Sequence, residues 1–383
     1  MKADAMHSPE ELAHALDSLI PANPTLLALG EPVHGVEAFP LLRNEIFRHL
    51  VGRGFRSIAL ETDFFAAHLV NDYVTLQSDA DLDEVLETGF SHHFGRLPGN
   101  RELVEWLRAH NVTRSPRERV TFHGFDAPTE FEAAPSPRVA LETVRDFLPE
   151  ALRPDTPDLD ELLGDEADWT NPAAMYDPAA SIGGEERVRD LRIIADDLAG
   201  AFTRAAPAIS RNPGYHKAKA YARTAQSLLR YHVAMAGGGP GRMSELIAIR
   251  AEMMAGNLLS IAGRACPTLV HAHNVHLLRT RSGLQVGTEK ATWGSAGALV
   301  ALELGEGYVF VATDATVAPE PGTLQAELAE ATTGRTLFRD LTSARPAAGP
   351  MARGHLPLEP EDLAGADAVV FITDTDGRQT PFW

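Results

Sequence analysis

The chain has 383 residues, 34 of them basic and 53 acidic, with a formal charge of -19. So strong a negative balance disfavours a nucleic-acid backbone or an anionic membrane as partner, though it leaves room for a local basic pocket. An apolar share of 44% is that of a folded globular protein, and no uncharged apolar stretch is long enough to span a bilayer.

Residues 1–25 read as a short surface helix and then a turn at Pro21-Ala22-Asn23-Pro24, with Ser8 and Glu11 spaced as a capping box. Met1-Lys2-Ala3-Asp4 opens no signal-peptide core, so a cytoplasmic location is expected. Leu26 to Phe64 organises the rest. Leu26-Leu27-Ala28-Leu29 is a buried-strand run that ends at Gly30 and delivers Glu31, then His34 and Gly35. Phe39, Leu42, Ile46, Phe47 and Leu50 recur at helical spacing. Gly52 and Gly54 break that period, and Ile58-Ala59-Leu60 forms a second strand ending in Glu61. This is a strand–helix–strand unit of the length a parallel crossover needs. Its polar groups stand at strand ends, where open α/β sheets bind ligands.

Helical periods follow between residues 64 and 110, interrupted by Ser91-His92-His93-Phe94, a candidate loop at a pocket mouth. Val120 to Asp126 reads as a third core strand. Residues 127–180 are rich in proline and acids. Helical periods return over Glu185–Leu198 and Tyr215–Met235, and Gly237 to Gly241 forms a flexible break. No Lys-Ser or Lys-Thr pair follows, so that break is not a phosphate loop. Ser244–Ala262 is helical. Pro267 leads into the strand Thr268-Leu269-Val270 and then His271-Ala272-His273-Asn274-Val275-His276, the densest imidazole cluster in the chain. Gly294–Leu304 reads as a small-residue helix. Tyr308–Ala312 and Ala368–Ile372 read as strands, and Leu324–Leu337 as a further packed layer. The single cysteine, Cys266, excludes an internal disulfide and is expected to be buried and inert.

The expected fold is α/β, with a central mainly parallel or mixed sheet flanked by helices and a helical insertion or lid. Residues 1–130 form the first part of the core and 131–250 the insertion. Residues 251–383 form the second part of the core, with a small C-terminal subdomain.

An α/β sheet would gather Glu31, His34, Glu61, His273 and His276 at one edge. Histidine exchanges a proton near neutral pH, and a neighbouring carboxylate fixes its tautomer and favours its charged form. Together these groups suffice to activate water. Arg43 is placed to neutralise an acid or hold a developing oxyanion. The competing reading is a buried ionic network under a structural loop. His273-Asn274-Val275-His276 is not a zinc helix, and the chain has no Gly-x-Ser-x-Gly elbow. Neither an obligatory metal nor a serine nucleophile is therefore expected. His93, Asp126, Arg250 and Asn274 are candidate substrate contacts.

The sequence resembles the erythromycin esterase family. The resemblance rests on Gly30-Glu31-Pro32-Val33-His34-Gly35, Arg43, Gly54-Phe55, Leu60-Glu61 and Gly124-Phe125-Asp126, and later on Arg250 through Asn257 and His273-Asn274-Val275-His276. These pieces fall in the family's order, although Pro32 and Trp293-Gly294 depart from its pattern. The resemblance implies a hydrolase that opens a macrolactone ester without a covalent serine. His34 would be the water-activating histidine, Glu31 and Glu61 its supporting acids, Arg43 the family's arginine, and His273 and His276 its later pair. No cofactor is expected, and the partner would be a small-molecule ester or polyketide-like compound. Membership alone does not imply antibiotic resistance. Ester formation, acyl transfer or ring rearrangement in secondary metabolism remain the alternatives, followed by ligand binding without catalysis.

Overall fold

The computed structural model describes residues 1–130, 134–264 and 267–382; the reading of Cys266 lies outside them. Their extended segments are β1 (Lys2–Ala5), β2 (Leu26–Glu31), β3 (Ser57–Asp63), β4 (Thr121–Asp126), β5 (Thr268–His273), β6 (Arg281–Val286), β7 (Glu289–Gly294), β8 (Tyr308–Ala315), β9 (Arg335–Arg339) and β10 (Ala368–Ile372). Eight of them make one sheet in the order β1-β9-β10-β8-β2-β5-β3-β4, while β6 and β7 pair separately. From β10 to β4 neighbouring strands are parallel. β9 and β1 add two antiparallel pairings at one edge. The fold is therefore α/β, with a mixed, mainly parallel sheet, flanking helices and helical insertions.

The chain divides into two units. The first holds residues 1–126, 254–283 and 294 onward, and the second holds 127–253 with 284–293. The helix Arg242–Ala262 runs from one into the other.

In the first unit the central strands are buried at every position, as β2 and β5 show. That is why their sequences read as apolar runs and not as alternations. The crossover helix Ala38–Gly52 buries Phe39, Leu42, Ile46, Phe47 and Leu50, and also Arg43 and Asn44. It stops where Gly54 takes φ 99°, a conformation open to glycine. Ser8 caps the helix Pro9–Leu19 through the expected box: Glu11 N donates to Ser8 Oγ at 3.2 Å, and Ser8 N donates to the Glu11 carboxylate at 3.1 Å.

Two expectations are corrected here. Lys2–Ala5 is not part of a helix but an edge strand paired with Phe338 and its neighbours. It carries no apolar run because an edge strand is covered on fewer sides. The stretch Leu324–Leu337 is a helix, Leu324–Glu330, followed by β9 of the main sheet.

The second unit is mostly helical. Its long helices Glu186–Ile209 and Tyr215–Ala236 share a core of Leu191, Leu198, Phe202 and Leu229. Trp169 is buried there and its indole N–H donates to Leu163 O at 2.8 Å. Among the described residues no helix is long and apolar enough to cross a membrane.

Candidate active site

The sheet register assembles the site within the first unit. Parallel pairing sets Glu31 beside His273 and Leu29 beside His271. On the far side of β5, Leu60 pairs with His271. Between Leu60 and Asp63 the register of β3 against β4 shifts, so Glu61 lies in an irregular stretch of the kind that re-aims a side chain beside a site. Glu31 and Glu61 are buried.

His34 follows β2 on a loop tied down from several directions. Pro32 O accepts from His273 Nε2 at 2.9 Å and from Leu356 N at 2.9 Å. Gly35 O accepts from Thr380 N at 2.9 Å, and the Gln379 amide donates to His34 O at 2.6 Å. Gly35 has φ 86°, and a Cβ there would lie 2.6 Å from Thr380 O, so glycine is required on both counts.

The His34 ring places Nδ1 2.7 Å from Glu31 Oε1. An ionised carboxylate only accepts, so Nδ1 carries the hydrogen. Nε2 is then left as the basic nitrogen, 3.9 Å from Glu61 Oε2, beyond direct hydrogen-bond reach. Phe94 and Phe382 lie with ring centroids 4.8 and 5.9 Å from the imidazole. The side chain keeps 17% exposure. Burial disfavours the charged ring, but the Glu61 charge and the Glu31 hydrogen bond outweigh it, and the His34 pKa is raised above 6.5.

Glu31 bridges two imidazoles. Its second oxygen lies 3.3 Å from His271 Nε2. Burial alone would raise the Glu31 carboxyl, but the charge and hydrogen bond of His271, and then those of His34, hold it well below the usual range. At His271 the order reverses: burial lowers the pKa and Glu31 pulls it back only in part. Geometry decides between these opposed directions. His271 Nδ1 faces Leu29 O at 2.9 Å, and a carbonyl cannot donate. A neutral ring would therefore leave a lone pair against either the carbonyl or the carboxylate. Both contacts are satisfied at once only when the pair holds one more proton than a neutral imidazole and a bare carboxylate. Sequence reading put His271 in the imidazole cluster but gave it no role. The signal was its two-residue offset from His273 on one strand, which sets both on the same face.

The two later histidines differ. His273 spends both ring nitrogens, Nε2 on Pro32 O and Nδ1 on Val275 N at 3.3 Å. Burial takes its pKa down to about 3, so it is a neutral clamp and helix cap. His276 Nε2 lies 3.2 Å from Glu61 Oε1, while its buried Nδ1 has no partner among the described residues. The other Glu61 oxygen accepts from His273 N at 2.8 Å.

Arg43 is fully desolvated. Its guanidinium donates to Asn44 Oδ1 at 2.8 and 3.0 Å, Asn100 Oδ1 at 2.8 Å and Gly99 O at 3.0 Å. Among the described residues no carboxylate comes within 4 Å of it. Burial lowers its pKa to about 10, against the pull of Glu31, so it stays charged at neutral pH. It lines a cavity of about 20 Å³ with Glu31, Glu61, His271 and Phe94, enough for about one water.

The remaining candidates are placed as follows. Asp126 is wholly buried and holds His92 Nε2 at 3.0 Å. His93 is exposed and lines a separate surface cleft with Asp83, Glu87 and Arg101. Asn274 gives its amide to β8, donating to Thr313 O at 2.8 Å and accepting from Thr313 N at 3.3 Å. Arg250 lies on the helix Arg242–Ala262, in the second unit. Among the described residues no group of three or more His, Cys, Asp or Glu side chains is arranged to hold a metal ion.

Glu31 closes β2 and Glu61 lies two residues before the end of β3, with His34 beside the first acid and His276 beside the second, and comparison with known proteins decides the family. The erythromycin esterase family profile matches residues 51–327, well over half of the chain. The chain belongs to the erythromycin esterase family. The match begins after Arg43, so the place of Glu31, His34 and Arg43 in the site rests on geometry. No curated protein matches the sequence. Three solved structures share the fold at low identity. A variant of the erythromycin esterase EreC in its open conformation aligns with TM-score 0.73 and 18% identity, covering 98% of each chain. A Bacillus cereus protein gives 0.72 and 15%, covering 97% of this chain and 94% of its own. A succinoglycan biosynthesis protein gives 0.65 and 16%, with the same coverage of 97% and 94%. The chain thus has the general hydrolase-like fold of this superfamily.

Proposed function

We propose that this family member hydrolyses a bulky natural-product ester, such as a macrolactone, with His34 as general base. The observation that carries the reading is the state of the His34 ring: Nδ1 is fixed on Glu31, while Nε2 is the basic nitrogen of a partly exposed side chain, 3.9 Å from Glu61. A water donating one hydrogen to His34 Nε2 and the other to Glu61 turns its lone pairs toward an ester carbonyl. As the water oxygen bonds to the carbonyl carbon, its proton passes to His34. The tetrahedral oxyanion draws on the field of Arg43, whose charge no carboxylate neutralises at contact. When the C–O bond breaks, His34 returns the proton to the departing alkoxide. His276, with Nε2 3.2 Å from Glu61 Oε1, holds that carboxylate in place. His273, with both nitrogens spent, positions the loop and does not titrate near neutral pH.

The test is turnover of a macrolide panel in oxygen-18 water. One labelled oxygen in a ring-opened acid supports the reading. An acyl group transferred to an added alcohol without label points instead to acyl transfer by the same groups. Turnover is expected to survive exhaustive chelation. Loss on chelation, restored by stoichiometric zinc, would put a metal in the mechanism.

A further inference from the structure

We propose that His271 is a positioning residue for the His34 base: as an imidazolium it neutralises Glu31, which keeps that carboxylate from locking His34 in its own charged form. The inference rests on the reading of His34 as the base.

The argument starts from the carboxylate. Glu31 touches His34 through one oxygen at 2.7 Å and His271 through the other at 3.3 Å. A buried, unneutralised carboxylate at 2.7 Å strongly favours a protonated imidazole, and Glu61 adds to that pull. A base held protonated does no work near neutral pH. His271 relieves this from the other side of Glu31. Its ring cannot turn away, because Nδ1 is held by Leu29 O at 2.9 Å on the neighbouring strand.

The charged groups around the two rings are few. His271 meets Glu31 from β2 and feels Arg43 from the helix Ala38–Gly52, which opposes its protonation. His34 meets Glu31, Glu61 from β3, His92 from the loop before Phe94, and His273 from β5. Among the described residues in contact with Glu31, only His271 can cancel its charge without being the base itself. Arg43 acts on it from beyond salt-bridge distance.

The test uses the whole protein with nitrogen-15 in its histidine rings. In the unaltered protein at pH 7, His271 is expected to show both ring nitrogens protonated; a neutral ring there overturns the proposal. His271→Gln keeps a donor toward Glu31 but cannot take a charge. His271→Asn keeps the Leu29 bond and loses the Glu31 contact. In either folded variant the His34 titration should move up by about one pH unit or more, and any esterase pH profile should move with it, with activity recovered at higher pH. An unmoved His34 titration in a folded variant overturns the inference. The ring titrations need no turnover. A protein that opens no ester can therefore still show the shift, and one that opens esters can still fail to show it.

Discussion

Glu31 with His34 after β2, and Asp314 with His355 near the end of β8, are both carboxylate–imidazole pairs whose carboxylate is buried. In the second pair every acceptor is spent. Asp314 Oδ1 takes His355 Nε2 at 3.0 Å and Ala315 N at 2.8 Å, while Oδ2 takes Gln325 Nε2 at 2.8 Å and Leu358 N at 2.9 Å. The other His355 nitrogen accepts from Met351 N at 2.9 Å. Asp314 and His355 therefore fasten the loop around residues 351–358 onto β8, and they are almost wholly buried. His34 instead keeps one nitrogen uncommitted and part of its ring open. A carboxylate and an imidazole make a rivet when all their hydrogen-bonding capacity is spent, and leave room for chemistry when some of it is not.

The contrast can be broken most directly at the two imidazoles and their acids. His34→Ala should lower the single-turnover rate by roughly 10²- to 10⁴-fold, the range expected for a lost general base, with the affinity of the folded molecules for substrate little changed. Near-normal turnover by a folded variant would move the base elsewhere. Asp314→Ala should do the reverse. Removing the carboxylate leaves the His355 Nε2–H and the backbone N–H groups of Ala315 and Leu358 buried without their acceptor, at about 1–3 kcal/mol each. Denaturant melts would show the loss, while the rate per folded molecule should hold. A variant as stable as the parent would contradict the rivet assignment.

The pH dependence sharpens the comparison. Burial opposes the His34 imidazolium, but Glu61 and Glu31 prevail and its pKa lies above 6.5. Base catalysis should therefore rise with pH through a limb above 6.5. The stability that His34 contributes runs the opposite way: it is fully present below the unfolded value of 6.5 and is lost as pH climbs through the raised one. A catalytic limb well below 6.5 would contradict the assignment. His273 gives the smallest and opposite effect. Burial lowers it to about 3, so its contribution is present above 6.5 and drains away as pH falls toward 3. Denaturant midpoints for His273→Asn should depend less on pH across that window than those of the parent.

Much of this was legible because buried parallel strands are continuous apolar runs that stop at a polar residue. Leu26–Glu31, Ile58–Glu61 and the strand that carries His273 each announced a polar group toward the C-terminal end of a core strand. The division of labour among the histidines was not legible. His273 is disqualified as a base by Pro32 O and Val275 N, and those partners depend on where β5 stops and on how the first loop folds back. His271 gains its partner from a register 242 positions away. Phe382, packed against His34, is more remote still. Lys2–Ala5 left no signal because a four-residue edge strand needs no apolar run.

The strand order also sets a timetable for synthesis. β2 is flanked in the sheet by β5 and β8, and Leu29 and His271 lie 242 positions apart. At about 5–20 residues per second, a nascent chain carries β2 for tens of seconds before either neighbour leaves the ribosome. Throughout that interval Leu26–Leu29 is an apolar strand with both backbone edges unpaired, a template for mispairing with another chain. The strand that leads into the His34 loop thus gains from shelter by a chaperone while the protein is being made.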